Sequence, residues 1–440
     1  MRRRLLENRI QITLIFTTLV MIILRFLLNE KGRTNPDSIR FMRTSNALPV
    51  VDNTTTPLGY PLSLKFFALI GVGEFWGSKI VGILAYFFIV WFAWKKKFYL
   101  KETILIGGLF SFVSIYSYTM SEALILPFVF VFLYVGRQIM IEEIKGFKAF
   151  LYLSLILIAL YNIRYSALFF IGGVLLYGIL NFKKHFGKTF IYAGCTGLLF
   201  VVLYKFLFID YYNERYVDQF LEIGLHPTSK LLVELFQGLC TTFNPFVHIA
   251  KPDGGFINYA IFGIGFLNIL LMAFLFIKNK LSETGKFLVF IGVIGIICSY
   301  FIQYFYSVNA IDYRLLAPFS FPIWLVYFKK LYQVFGKLTY GITALSLMTG
   351  FAFTWLSKGN YLENRKQIQQ FLKLENLENK PLKFYMESEE QLDRIQIAEL
   401  ISTVNPDMTV TFKPKDTLQK NVLTEYKVLQ KIKIDKNKFQ

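Results

Sequence analysis

Through the first 356 positions apolar residues come in blocks near the ~20 residues that a helix needs to cross a hydrocarbon core. Eleven such blocks stand roughly at 10–28, 76–94, 103–119, 121–136, 149–161, 165–182, 189–208, 256–277, 287–306, 315–328 and 338–356. The pattern predicts a mainly α, polytopic transmembrane helical bundle of about eleven spans. The first block follows Met1-Arg2-Arg3-Arg4 with no small-residue cleavage site, so it reads as a retained span. From about Lys358 the pattern changes. Leu382–Ser388 alternates like a strand, Glu389–Ile401 has helical spacing, and Met408–Phe412 returns to alternation. A small α/β domain over 357–440 is therefore predicted to follow the membrane domain, 1–356. No internal repeat is visible.

Composition agrees with the membrane reading. Of 440 residues 55% are hydrophobic and 18% charged, against roughly 25% charged in soluble domains. One soluble core cannot bury so much apolar surface, so lipid must cover part of it. Disorder and a disulfide-rich secreted scaffold are excluded. The three cysteines, Cys195 and Cys298 in apolar blocks and Cys240 in a long loop, form no CxxC.

The net charge of +19 first suggests an anionic partner. Its distribution says otherwise. Segments 1–9, 95–102, 137–148, 183–188, 278–286 and 329–337 carry 20 Lys/Arg in 53 residues. The alternate set, 29–63, 120–122, 162–164, 209–255 and 307–314, carries 9 in 96. Basic loops face the cytoplasm, which places the N-terminus inside and, for an odd span count, the C-terminal domain on the outer face. Short clusters at span ends suit anionic headgroups, whereas nucleic acid needs a continuous basic stripe. No nucleic-acid partner is expected.

Two of the outer loops, 29–63 and 209–255, exceed the ~12–15 residues usual for plain connections. Both are expected to hold short amphipathic helices at the interface, the second built on Tyr211, Tyr212, Tyr216, Phe220 and Leu221. Asp37 lies in the first, within Asn35-Pro36-Asp37-Ser38, followed by Asp52 and by Thr56-Pro57-Leu58-Gly59-Tyr60-Pro61-Leu62. Two prolines around a glycine return the chain to the membrane, so the loop could hold a carboxylate over a cavity. A solvated or capping acid is the alternative. Glu122 opens the fourth block, where an acid is expensive unless it merely complements a helix N-terminus. Arg164, Lys205 and Arg314 stand at outer ends and could together hold a lipid phosphate. Snorkelling or mutual pairing, for example of Arg314 with Asp312, is the alternative for each residue taken alone. His226, His248 and Asp253 share a loop without metal-ligand spacing, and no metal site is assigned. No P-loop, HExxH, GxSxG or GxGxxG stands in a usable context, so no nucleotide cofactor is expected.

Four segments, Asn35-Pro36-Asp37-Ser38, Thr56–Leu62, Ser121-Glu122-Ala123-Leu124 and Asp312-Tyr313-Arg314-Leu315-Leu316-Ala317-Pro318, together resemble the polyprenol-phosphate-sugar-dependent C-type glycosyltransferases (GT-C). The lineage is that of protein O-mannosyltransferases and lipid A aminoarabinose transferases. Residue 38 is Ser where many members carry a second acid, and the chain is short for the family. The resemblance implies an inverting transferase of the cell envelope, working on the outer face of a bacterial plasma membrane. Its donor would be a polyprenyl-phosphate-linked sugar and its acceptor a lipid, glycan or protein hydroxyl. It further implies Asp37 as base, Glu122 and Asp52 orienting acceptor or sugar, and Arg164, Arg314 and Lys205 binding donor phosphate. Some members use a divalent cation. Two rival classes remain: an O-antigen-polymerase-like enzyme, expected to have more arginine than the Arg215 of loop 209–255, and a lipid-linked sugar flippase, expected to show mid-span charges and repeated halves.

Overall fold

A computed structural model describes residues 2–28, 33–34, 36–51, 55–214, 228–249, 255–305, 311–357, 359–378, 380–388, 392–405 and 407–433. The chain folds as α1 (Arg2–Leu27), α2 (Pro36–Ala47), α3 (Gly59–Leu69), α4 (Glu74–Lys96), α5 (Leu100–Gly107), α6 (Phe110–Ser117), α7 (Ser121–Met140) and α8 (Gly146–Ile163). It continues through α9 (Leu168–Leu180) and α10 (Gly187–Tyr204), which a π turn joins to α11 (Asp210–Tyr212). Then come α12 (Thr228–Thr242), α13 (Phe256–Lys278), α14 (Glu283–Phe305), α15 (Tyr313–Phe335) and α16 (Thr339–Leu356). The tail adds α17 (Tyr361–Leu374), β1 (Leu382–Tyr385), α18 (Leu392–Ser402), β2 (Met408–Thr411), β3 (Val422–Leu423) and α19 (Glu425–Leu429).

Among the described residues all eleven apolar blocks fall mainly on helix, but they are not equal. Among the described residues seven helices are long and apolar enough to cross a membrane, and eight pass if the bent pair α5–α6 is one span. The count of eleven is not reached on length and composition. Three blocks account for the difference. The 165–182 block is short helix, Tyr165–Leu180. The 315–328 block lies in α15, with Pro318 and Pro322 inside it and every residue from Leu316 to Phe328 buried. A helix enclosed by α5, α7, α12 and α14 meets protein on all sides and needs no lipid-facing band. The 338–356 block is α16, whose buried face carries Thr343, Ser346 and Thr354.

The 103–119 block breaks by 75° between α5 and α6. Backbone groups freed at such a break need partners when water is absent. Here α16 supplies them: Thr343 Oγ1 donates to the Leu105 carbonyl at 3.0 Å, and Phe110 N donates to Ser346 Oγ at 2.8 Å. Large apolar side chains remain exposed around the bundle, among them Phe16, Trp91, Leu199, Leu267, Phe301 and Met348. They are the surface that lipid would cover.

The tail forms a three-stranded parallel sheet in the order β2-β1-β3, with Leu382 against Met408 and Lys383 against Val422. Its strand–helix–strand unit follows the sequence pattern to within a few residues. The core of the tail is shared: Phe371, Phe384 and Ile401 pack in one cluster with Ile39 and Met42 of α2, Tyr60 of α3 and Phe75 of α4. Helices were expected in both long outer loops, and the described parts of both carry them. The first yields α2 and α3. The second yields α12, which buries Cys240 in a helix and not in a loop. Tyr216, Phe220 and Leu221 lie outside the described residues.

Close helix packing depends on small residues. A Cβ on Gly82 would stand 1.9 Å from the Tyr116 carbonyl oxygen of α6. Gly82→Ala is expected to force α4 away from α6 and to lower stability by about 1–3 kcal/mol, read as a fall in thermal midpoint in detergent. Gly341→Ala, with nothing within 4 Å of its Cβ, should leave the midpoint near wild type; equal effects of the two would contradict the packing.

Candidate active site

The centre of the site is a buried acid. Glu122, in the first turn of α7, has a side chain only 1% exposed. Two arginines reach its Oε1: Arg164 Nη1 at 3.0 Å and Arg314 Nε at 3.4 Å. Arg164 caps the far end of α8, and Arg314 stands in the first turn of α15. Arg314 Nη2 also lies 3.6 Å from Asp37 Oδ2, in the first turn of α2. Four helix ends thus meet through one chain of charges, Arg164–Glu122–Arg314–Asp37.

Each side chain is aimed by its local structure. Asp312 does not pair with the Arg314 side chain; its Oδ1 accepts from the Arg314 and Leu315 backbone N–H groups at 3.0 and 3.1 Å, as the N-cap of α15. That leaves the guanidinium to turn towards Glu122 and Asp37. Burial raises the Asp312 carboxyl above its ordinary range, and the Arg314 charge works against the shift. Arg164 is fixed by Ser121 Oγ at 3.2 Å and Ser166 Oγ at 3.0 Å. The Pro-Leu-Gly-Tyr-Pro turn seats the start of α3 on the same corner. A Cβ on Gly59 would come within 2.9 Å of the Asn162 carbonyl, and Tyr165 OH donates to the Thr55 carbonyl.

The four members differ in access. Asp37 is 44% exposed at its side chain, Arg314 19%, Arg164 16% and Glu122 1%. Among the described residues Arg314 Nε and both Glu122 oxygens make no hydrogen bond of good geometry despite the ion pairs. The cluster can therefore hold an anion beside the arginines and expose one carboxylate, Asp37, to a second reactant.

The other sequence candidates lie elsewhere. Lys205 pairs with Asp210 at 2.6 Å, and no ion pair or hydrogen bond joins it to the four among the described residues. Asp52, His226 and Asp253 lie outside the described residues. Among the described residues no three His, Cys, Asp or Glu side chains gather as a metal site.

Sequence reasoning passed over a second group beside the first. Arg25, Arg33 and Lys79 are buried at the same end of the bundle. Arg33 Nη2 donates to Tyr313 OH at 3.4 Å and its guanidinium lies over the Tyr118 ring at 4.2 Å. Lys79 Nζ donates to Thr119 Oγ1 at 2.8 Å and to the Arg33 and Ser117 carbonyls. His248 packs between Phe110 and Tyr313, and among the described residues neither ring nitrogen has a hydrogen bond. The available signal was Arg25 and Lys79 standing inside apolar blocks, where an ionisable residue marks function by default.

No family model matches the chain, and no curated protein matches it. The solved apo structure of ArnT from Cupriavidus metallidurans is similar to it, with a TM-score of 0.39 and 12% identity over 94% of this chain and 90% of that one. ArnT is an aminoarabinose transferase, of the lineage that the sequence motifs resemble.

Two outcomes test the electrostatics. Removing one partner of a buried pair costs about 3–5 kcal/mol because the other charge is stranded. Glu122→Gln is therefore expected to lower the thermal midpoint strongly, and adding Arg164→Met should restore part of the loss; strictly additive losses would contradict the coupling. Burial, then the Arg25 and Arg33 charges, push the His248 pKa well below its ordinary 6.5. The unfolded chain then binds a proton that the folded chain refuses, so stability is full above pH 6.5 and falls below it by up to about 1.4 kcal/mol per pH unit. His248→Gln should flatten a thermal-midpoint profile taken from about pH 8 to about pH 5, and an unchanged slope would refute the assignment.

Proposed function

We propose that the protein is an inverting membrane glycosyltransferase that moves a sugar from a polyprenyl phosphate to an acceptor hydroxyl. The observation that carries this reading is the Arg164–Glu122–Arg314–Asp37 chain, with its graded exposure, at one end of an apolar bundle. In the reaction the acceptor oxygen attacks the sugar C1 from the face opposite the phosphate. The C1–O bond to phosphate breaks, and its electron pair leaves on the lipid phosphate. The half-exposed Asp37 carboxylate takes the acceptor proton. Arg164 and Arg314 stabilise the departing phosphate. Glu122, having no solvent access, acts through the arginines by holding them in place and does not touch the sugar. Lys205, turned to Asp210, has no part in this scheme.

A groove supports the lipid-linked donor. A cavity of about 440 Å³ opens between α3, α4, α7 and α8, lined by Ser63 and otherwise by apolar side chains that include Phe67, Leu84, Phe88, Leu124 and Phe128. Leu124 stands two residues after Glu122 on α7, at nearly the same height but on another face of the helix. A prenyl tail could lie there with its phosphate at the arginines, so no nucleotide motif is needed. In this reading the basic segments face the cytoplasm, about eleven segments cross or enter the bilayer, and the site and the 357–440 tail lie on the outer face of a bacterial plasma membrane.

Asp37→Asn, at a half-exposed position, is expected to keep the thermal midpoint while sugar transfer from labelled polyprenyl-phosphate sugar falls by ~10²–10⁴. Full transfer would remove Asp37 as the base. Movement of the labelled donor across a vesicle bilayer with no transfer to any acceptor would favour a flippase instead.

A further inference from the structure

The opposite, basic end of the bundle holds a cavity that the proposed reaction does not use. It has a volume of about 720 Å³ and is lined by Glu7 of α1, Lys97, Lys101 and Glu102 at the α4–α5 junction, Arg137 of α7 and Lys329 of α15. Its acids are already engaged or outnumbered. Glu7 is held by Lys101 Nζ at 2.6 Å and by Tyr332 OH at 2.7 Å, with Tyr340 OH at 3.3 Å. Among the described residues Lys97, Arg137 and Lys329 have no carboxylate within ion-pair distance. Arg137 lies 5.8 Å from the Phe98 ring centroid and Lys329 lies 5.0 Å from that of Tyr99. Three cations outside ion-pair distance of any described carboxylate therefore border one cavity, with the buried Glu102 acting on Lys329 from further off.

The cavity is not isolated. A groove of about 700 Å³ shares Asn8, Gln11, Trp94 and Leu100 with it and runs between α1 and α4 over Ile12, Ile15, Phe87, Trp91 and Ile104. Trp91 and Trp94 are exposed at this end, and indole rings settle at headgroup depth. A cationic chamber at that depth, continuous with an apolar trough towards the bilayer centre, has the form of a lipid site with separate places for head and tail.

We propose that this is a binding site for an anionic glycerophospholipid of the leaflet on the basic side, its phosphate among Lys97, Arg137 and Lys329 and one acyl chain in the α1–α4 trough. Charge complementarity selects the occupant: basic pockets between membrane helices hold anionic headgroups. The site lies at the end of the bundle away from Glu122 and stands whether or not sugar transfer is the activity. Four elements that meet there, α1, α4–α5, α7 and α15, also carry Arg25, Lys79, Glu122 and Arg314 at their other ends.

The test is a titration of the purified full-length protein in neutral detergent with fluorescent short-chain phosphatidylglycerol, phosphatidylcholine serving as comparison. Phosphatidylglycerol should bind at least about ten-fold tighter, and Lys97→Asn/Arg137→Gln/Lys329→Gln should weaken it by roughly 100-fold. Asparagine suits the left-handed φ of 48° at position 97, and Arg137→Gln alone should lose about ten-fold if the triple variant does not fold. Arg314→Gln should leave this binding unchanged. Equal binding of the two lipids overturns the proposal, as does full phosphatidylglycerol affinity in the variants. Displacement of phosphatidylglycerol by equimolar polyprenyl phosphate would overturn the choice of occupant.

Discussion

A carboxylate buried in an apolar bundle has to be paired, and Glu122 is the residue on which the rest of this structure is organised. Leaving a charge in such surroundings costs several kcal/mol, so the fold must deliver cations to it. It delivers two, Arg164 at 3.0 Å and Arg314 at 3.4 Å, from helices far apart in sequence. The requirement fixes the mutual positions of the ends of α7, α8 and α15. Through Arg314 it reaches Asp37 on α2, the one member with real access to solvent. Stability therefore draws on the same contacts that the proposed chemistry would use. A ligand phosphate would meet arginines already oriented by an acid that cannot itself be solvated.

The surrounding elements serve that corner. α15 runs enclosed through the bundle, which keeps Arg314 at a fixed height, and its Asp312 cap frees the guanidinium from its nearest acid. The bend between α5 and α6, satisfied by Thr343 and Ser346 of α16, gives the end of α6 its place beside α4. The tail adds a further clamp. α18 packs on α2, and Glu399, its carboxyl raised by burial and opposed by Arg40 and Arg43, faces the helix that carries Asp37. The sheet of the tail and the loop helix α2 thus share one core around Ile39, Met42 and Phe384.

Much of this could be read in the residues because the physics involved is local. Apolar blocks had to be helices, and the alternation at Leu382 and Met408 had to be strands. Asp37, Glu122, Arg164 and Arg314 were each conspicuous as ions at the ends of apolar blocks, and the structure brings those four together. What could not be read depends on tertiary enclosure. The sequence does not show that α15 is wrapped by protein, so its block passes for a span. Glu122 looked as free to meet a substrate as Asp37, since burial is not written in composition. Lys205 has the same appearance as Arg164 until its turn towards Asp210 is seen. Arg25 and Lys79 were legible, as ions within apolar blocks, yet their meeting with Arg33 required α1, α4 and the first long loop to be placed together.

The central claim is that Arg314, oriented by Glu122, binds the phosphate of a prenyl lipid. Binding of unlabelled polyprenyl phosphate, the leaving product, to the purified protein tests it without any knowledge of sugar or acceptor. The account expects Arg314→Gln to weaken that binding by about ten-fold or more, the worth of one lost charge-assisted contact, and Arg137→Gln at the other end to leave it unchanged. Equal affinity of the wild type and Arg314→Gln, with both folded, would contradict it.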